Sequence, residues 1–191
     1  MKKFIEDYIN DSIKTKALIL KDEKFLSNIS LIAEKIIDCY KNEGKVLIAG
    51  NGGSAADAQH IAAEFVSKFY FDRPGLPAIA LNVNTSILTA IGNDYGYEKV
   101  FSRQVQTNGN KGDVFIGIST SGNSKNIIEA IKEAKSNGLI TVGFAGENPC
   151  EMDKICDYIL KIPSCETPKI QESHIMIGHI ICAIVEKEMY R

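Results

Sequence analysis

Over the first 43 residues the apolar positions recur at helical spacing. Tyr8, Ile9, Ile13, Ala17 and Leu18 form one stripe, and Phe25, Leu26, Ile29, Ile32, Ala33, Ile36 and Ile37 form a second, with Lys21-Asp22-Glu23 breaking the run between them. The spacing predicts two amphipathic helices, an N-terminal extension over 1–43 that buries its stripes partly on the rest of the chain and partly on another subunit. From Lys45 the pattern changes. Short apolar runs at Lys45–Ala49, Pro77–Leu81, Asp113–Ser119, Leu139–Ala145 and Tyr158–Ile162 read as five strands, the third apolar enough to be buried on both faces.

Helical segments separate these runs. One starts at Ser54, with Ser54-x-x-Asp57 resembling a capping box; others span Thr85–Ile91, about Glu98–Gln106, and Ser124 or Lys125 to Ser136. Turns are expected at Asp72-Arg-Pro-Gly75, Gly92–Gly96, Asn108–Gly112 and Asn137-Gly138. The alternation of strand and helix predicts a single α/β domain, 44–191 forming a doubly wound parallel sheet with right-handed crossovers. A last helix, about Lys169–Lys187, is apolar nearly all round through Ile175–Val185 and requires burial on more than one side, which predicts a homo-oligomer.

Composition narrows the function. The hydrophobic fraction is 45% and the formal net charge −2, with the lysines scattered among acids, so no basic footprint for nucleic acid or an anionic membrane exists. No apolar run approaches a membrane span, and Met1-Lys-Lys followed by Phe4-Ile-Glu-Asp is too polar for a signal-peptide core. Cys39, Cys150, Cys156, Cys165 and Cys182 are odd in number and form no C-x-x-C, as expected of reduced thiols in the cytoplasm.

Candidate chemistry sits in two loops after strands. Asn51, Gly52, Gly53 and Ser54 follow the first strand, and Ser119, Thr120, Ser121 and Ser124 surround Gly122 after the third. Both offer backbone N–H groups and short hydroxyls at a helix start, which suits a phosphate, and ligands of open α/β sheets bind beyond the carboxyl ends of the strands. Neither loop is a Walker loop or a dinucleotide fingerprint. His60 and Glu64 are one turn apart on the helix after the first loop, either a proton-transfer or metal-binding pair or a solvated ion pair. Gln171 and His179 are eight residues apart on the last helix, about 80° around its axis, and so converge on one side. For His179 a pocket role and a hydrogen-bonded core role both stand; His174 fits the core role better.

These residues carry a resemblance. Ala49–His60 with Glu64, Ala90–Gly96, Gly117–Ser124, and Ile170-Gln-Glu-x-His174 with His179 closely resemble the phosphoheptose isomerases, bacterial sedoheptulose 7-phosphate isomerases of the sugar-isomerase (SIS) domain superfamily. The resemblance spans the chain and implies a three-layer α/β/α, flavodoxin-like fold. It implies conversion of sedoheptulose 7-phosphate to D-glycero-D-manno-heptose 7-phosphate in a homotetramer with active sites at subunit interfaces and one zinc ion per subunit. His60, Glu64, Gln171 and His179 then match metal ligands, with Glu64 the base and His179 the acid. Ser54, Ser119, Thr120, Ser121 and Ser124 match phosphate binders, and Asn51, Gly52, Gly53, Asn93 and Asp94 other substrate contacts. Moving a carbonyl between neighbouring carbons needs such a base and acid and a charge to hold the enediolate.

Two segments depart from the family pattern. Ser67-Lys-Phe69 stands where Gly-Arg-Tyr is common and Thr167-Pro-Lys169 where Thr-Ala-Arg or Ala-Asp-Arg is usual, and lysine does not replace a bidentate arginine. Two alternatives stand beside this reading: a non-enzymatic SIS tetramer that binds a replication initiator protein, whose members lack equivalents of Glu64 and His179, and isomerisation of another sugar phosphate.

Overall fold

The computed structural model describes residues 1–191. Five parallel strands, β1 (Val46–Gly50), β2 (Ala78–Ala80), β3 (Val114–Ile118), β4 (Ile140–Gly146) and β5 (Tyr158–Ile162), form one sheet in the order β2-β1-β3-β4-β5. Val46 pairs with Ala78 on one side and Val114 on the other, and Ile118 pairs with Phe144. The strand order reverses between β1 and β3, the switch point at which such sheets open a crevice.

The strands are buried because helices cover both faces, and successive residues of one strand feed opposite cores. Ile48, Ile116 and Phe144 pack with Ile32 and Ile36 of α2 (Glu23–Lys41), Phe65 of α3 (Gly53–Val66) and Ile177 and Ile181 of α8 (Thr167–Tyr190). Leu47 and Phe115 point the other way, toward Val105 of α5 (Ser102–Asn108) and Ile127 and Ile131 of α6 (Lys125–Ser136). The result is the three-layer α/β/α arrangement with the expected five parallel strands.

The break at Asp22 is a cap: its carboxylate accepts the Phe25 N–H at 3.0 Å and starts α2. α1 (Lys2–Lys21) is mostly uncovered. Thr15 and Ile19 are buried, whereas Phe4, Ile5, Tyr8, Ile9 and Ile13 are exposed. α8 likewise buries Ile170, Ile177, Ile181 and Val185, while Ile175, Met176, Ile180 and Ile184 line an open groove of about 430 Å³.

Several expected boundaries shift. The capping box at Ser54 and Asp57 does not form: Gly52 takes φ +56° and is itself the N-cap, so α3 starts one residue early and Ser54 falls inside its first turn. Asp57 instead has a buried oxygen without a partner, and burial pushes its carboxyl up to about 6 against the lowering influence of His60. α4 (Thr85–Tyr95) does not stop at Ile91; it runs through Gly92, at a cost of about 1 kcal/mol relative to alanine, and ends where Gly96 takes φ +87°. The single helix expected over 98–106 is a 3₁₀ turn at Tyr97–Lys99 followed by α5, because Val100 and Phe101 at the break are both drawn into the core. α7 (Met152–Ile155) is one turn, too short to leave a periodic signal.

His174 occupies the core. Its ring lies 5.6 Å from that of Phe144, Nε2 is 3.4 Å from the Ala145 carbonyl oxygen, and Nδ1 is buried without a partner. Burial pushes its pKa down to about 4, with the bond to Ala145 opposing. The folded protein therefore binds this proton more weakly than the unfolded chain, whose histidine titrates near the ordinary 6.5. Stability from this group is full above that value and is lost as pH falls toward 4, an effect of order 3 kcal/mol. Unfolding midpoints of His174→Gln are expected to fall less steeply than wild type across that window; equal slopes would contradict it.

Candidate active site

α3 and α8 lie side by side and run the same way, so the two candidate segments meet residue by residue. Gly53 faces Gln171 and Gly178 faces Ile61, each so closely that a side chain would force its neighbour to shift: a Cβ on Gly178 would stand 2.6 Å from Ile61 Cδ1. This approach brings His179 beside the third turn of α3. His60 Nε2 is 3.0 Å from Glu64 Oε1 and 3.2 Å from His179 Nε2, and one donor atom from each of the three residues lies within 4.8 Å of the others. The imidazole rings meet edge to face at 4.9 Å, and the ring of Phe69 lies tilted against that of His179 at 5.7 Å. His60 is exposed and Glu64 and His179 are half-buried, so the cluster opens to solvent.

The cluster fits a divalent ion. Zinc–nitrogen bonds of about 2.0–2.1 Å in a tetrahedron put two nitrogen ligands about 3.3 Å apart, close to the 3.2 Å between His60 and His179. Two imidazoles and a carboxylate suit zinc and several neighbouring divalent metals. Gln171 lies two turns back along the α3–α8 contact, its carboxamide against Gly53: a Cβ there would come within 2.8 Å of the carboxamide carbon. Gly53→Ala is therefore expected to displace Gln171 and lower kcat/KM by about tenfold or more, on the scale of a misplaced active-site group. Unfolding midpoint and steady-state kinetics measured together would check this, and unaltered kinetics would show that Gln171 placement is immaterial.

The loop after β3 gathers its hydroxyls. Ser119 Oγ lies 2.9 Å from Ser124 Oγ and 3.4 Å from Ser121 Oγ, and Ser119 is buried. Ser124 is the N-cap residue of α6 yet its side chain caps nothing, turning inward to Ser119. The Thr120 carbonyl is tied down by the Gly146 N–H at 3.0 Å. Short donors at a helix start hold an anion through dipole and hydrogen bonds, and Lys125, the first residue of α6, lines the same hollow as Ser124.

The loop after β1 is fastened to this one by a pairing that periodicity does not reveal. The carboxamides of Asn51 and Asn126 bond reciprocally, both at 2.9 Å, and the Tyr97 hydroxyl donates to Asn51 Oδ1 at 3.2 Å. Asn51, Tyr97, Ser124 and Asn126 line one hollow, so Asn126 and Tyr97 join the candidate set. The amide of Asn51 is occupied by protein partners, and its contribution here is to hold the turn through Gly52, Gly53 and the buried Ser54. Neither Asn93 nor Asp94 hydrogen-bonds to either loop, though Tyr95 and Gly96, which follow them, line the hollow with Asn51 and Ser124. Asn93 and Asp94 are exposed near the end of α4 with the Asn93 amide donating to Asp94 at 2.8 Å, and Asp94 lines a separate hollow with Tyr95 and Arg103.

The family profile described as SIS domain matches residues 7–146. The chain is 61% identical to the phosphoheptose isomerase of Aneurinibacillus thermoaerophilus over all of its own length and 96% of the relative's. The chain belongs to the phosphoheptose isomerases of the SIS domain family. A further member, phosphoheptose isomerase 2 of Campylobacter jejuni, is 60% identical over 98% of this chain and 93% of its own. The structure of the phosphoheptose isomerase from Neisseria gonorrhoeae superposes with a TM-score of 0.91 at 40% identity, covering 97% of this chain and 98% of that one. As a member of this SIS family the chain is an isomerase.

Proposed function

We propose that the chain, one SIS domain acting in the cytoplasm, converts sedoheptulose 7-phosphate to D-glycero-D-manno-heptose 7-phosphate, the first step toward a nucleotide-activated heptose. The observation that carries this reading is the meeting of His60, Glu64 and His179 from two helices, one of which starts at the loop after β1, itself fastened to α6 at the loop after β3 through Asn126. Phosphate sits at Ser119–Ser124, and the loop at Asn51–Ser54 faces the sugar. Glu64 takes a proton from the carbon next to the carbonyl while His179 protonates the carbonyl oxygen, giving an enediol. Return of the proton to the former carbonyl carbon, with loss of the hydroxyl proton on the carbon first deprotonated, leaves the carbonyl moved by one position. Glu64 has two carboxylate oxygens, so one can face His60 while the other works as base.

His60, Glu64 and His179 would hold a zinc ion, with Gln171 the fourth ligand. The chemistry such an ion would supply is a positive charge that offsets the charge developing on the substrate oxygens. Retention of the acid–base pair separates this chain from the initiator-binding tetramers. The deciding assay is conversion of sedoheptulose 7-phosphate followed by proton NMR, beside shorter ketose phosphates at equal concentration. Preferential turnover of the heptulose is expected, and faster turnover of a shorter substrate would transfer the assignment to that sugar.

The uncovered row on α1 and the groove on α8 support a homotetramer. Light scattering is expected to give four times the chain mass at micromolar concentration; a stable monomer would contradict it.

A further inference from the structure

One buried ion pair stands behind the α3–α8 contact and touches neither loop. The side chains of Arg73 and Glu186 are 2% and 1% exposed, with Arg73 Nε donating to Glu186 Oε1 at 3.0 Å. The guanidinium spends its other donors on α3: Nη2 on the Glu64 carbonyl at 2.9 Å and Nη1 on the Phe65 carbonyl at 2.7 Å, with the Pro74 carbonyl at 3.0 Å. The Glu64 and Phe65 carbonyls belong to the last turn of α3, where intrahelical donors run out and a cation also complements the dipole. Glu186 accepts the N–H groups of Phe69 at 2.8 Å and Tyr70 at 2.7 Å. Burial alone would raise the Glu186 carboxyl, but those two N–H groups and the guanidinium outweigh it and hold it below the usual carboxylate range.

Both ends of this clamp reach the reacting groups through one intermediate. Arg73 grips the backbone of Glu64 itself. Glu186 lies two turns beyond His179 on α8 and fixes the segment whose Phe69 ring packs on the His179 ring. A buried ion pair contributes little net stability compared with well-packed apolar residues of the same volume. What this one supplies is geometry: a planar fork that sets the end of α3 against α8.

We propose that Arg73 and Glu186 are positioning residues for the isomerase, holding the Glu64 carboxylate and the His179 imidazole at their working separation. The proposal rests on the reading of Glu64 and His179 as the proton-transfer pair. It is tested with the full-length enzyme and sedoheptulose 7-phosphate, comparing Arg73→Lys, which keeps the charge and loses the fork, with Glu186→Gln, which keeps the shape and loses the charge. Each is expected to lower kcat by about tenfold to a hundredfold and to change KM by less than about threefold, since the phosphate loop is untouched. Arg73→Ala is expected to regain part of the lost kcat when millimolar guanidinium is added.

In a Glu64→Gln background Arg73→Lys is expected to cause no further loss, because the group it aims is already absent. An equal proportional loss in both backgrounds, a rise in KM at constant kcat, or wild-type kinetics in Glu186→Gln would overturn the positioning role. Full activity of Glu64→Gln by itself would remove the reading of the site, and the proposal with it, whatever the Arg73 variants do. Circular dichroism of each variant establishes that the fold is intact; should Arg73→Lys fail to fold, Glu186→Gln alone carries the comparison.

Discussion

Glu64→Gln is expected to lower turnover by about a hundredfold to ten-thousandfold, the range that a positioned general base contributes, while KM for the sugar phosphate stays close to wild type. The substitution preserves length, shape and a hydrogen-bond acceptor toward His60, so the 3.0 Å contact in the cluster survives. What it removes is the ability to accept a proton from carbon. Ser119, Ser121 and Ser124, the proposed phosphate binders, lie across the switch point and are not linked to Glu64 by any hydrogen bond, so binding and turnover are expected to separate. His179→Ala is expected to be similarly inactive, and the double variant about as inactive as either single one, because acid and base act on the same transition state. Steady-state kinetics on the three proteins check this. A Glu64→Gln enzyme within about twofold of wild type would exceed what any general-base role permits.

Most of the scaffold was legible in the chain because its signals are local. Apolar runs bounded by glycine and asparagine gave β1, β3, β4 and β5 to within a residue or so at each end, and Asp22 announced the break between α1 and α2. The helix spacing of His60 and Glu64 and the hydroxyl-rich turn at Ser119–Ser124 were equally local. The meeting of His60 with His179 was not, since 119 residues separate them and only the packing of Gly178 on Ile61 brings them together.

The same limit hid Asn126, whose partner Asn51 lies across the switch point, and Arg73, which reads as an ordinary turn residue until α8 supplies Glu186. Gly92 misled in the opposite direction. Glycine usually marks a break, yet here the stop comes only at Gly96, where a positive φ is needed. Propensity fails where tertiary packing decides.

Stripping divalent metal is expected to lower turnover by at least about a hundredfold, since the positive charge that would offset the enediolate is lost with it, and added zinc is expected to restore it. The donor set explains why the loss should be reversible: His60, Glu64 and His179 are carried on helices anchored by Ile61 and Phe65 in α3 and by Ile177 and Ile181 in α8, so the ligands stay near one another without an ion. Because the site is preformed, binding should add to stability by mass action rather than create the fold, and the unfolding midpoint should rise with free zinc concentration.

His60→Gln separates metal holding from proton transfer. It removes an imidazole ligand but neither Glu64 nor His179, so elemental analysis should find less bound metal per chain, and the zinc-dependent rise in midpoint should shrink. Ligand preference provides a second check, because two nitrogens and a carboxylate accept cobalt and manganese as well as zinc. Chelated enzyme with full activity, confirmed metal-free by elemental analysis, would show that the cluster works as an acid–base site alone; a His60→Gln protein that still binds metal in full would move the ligand set elsewhere.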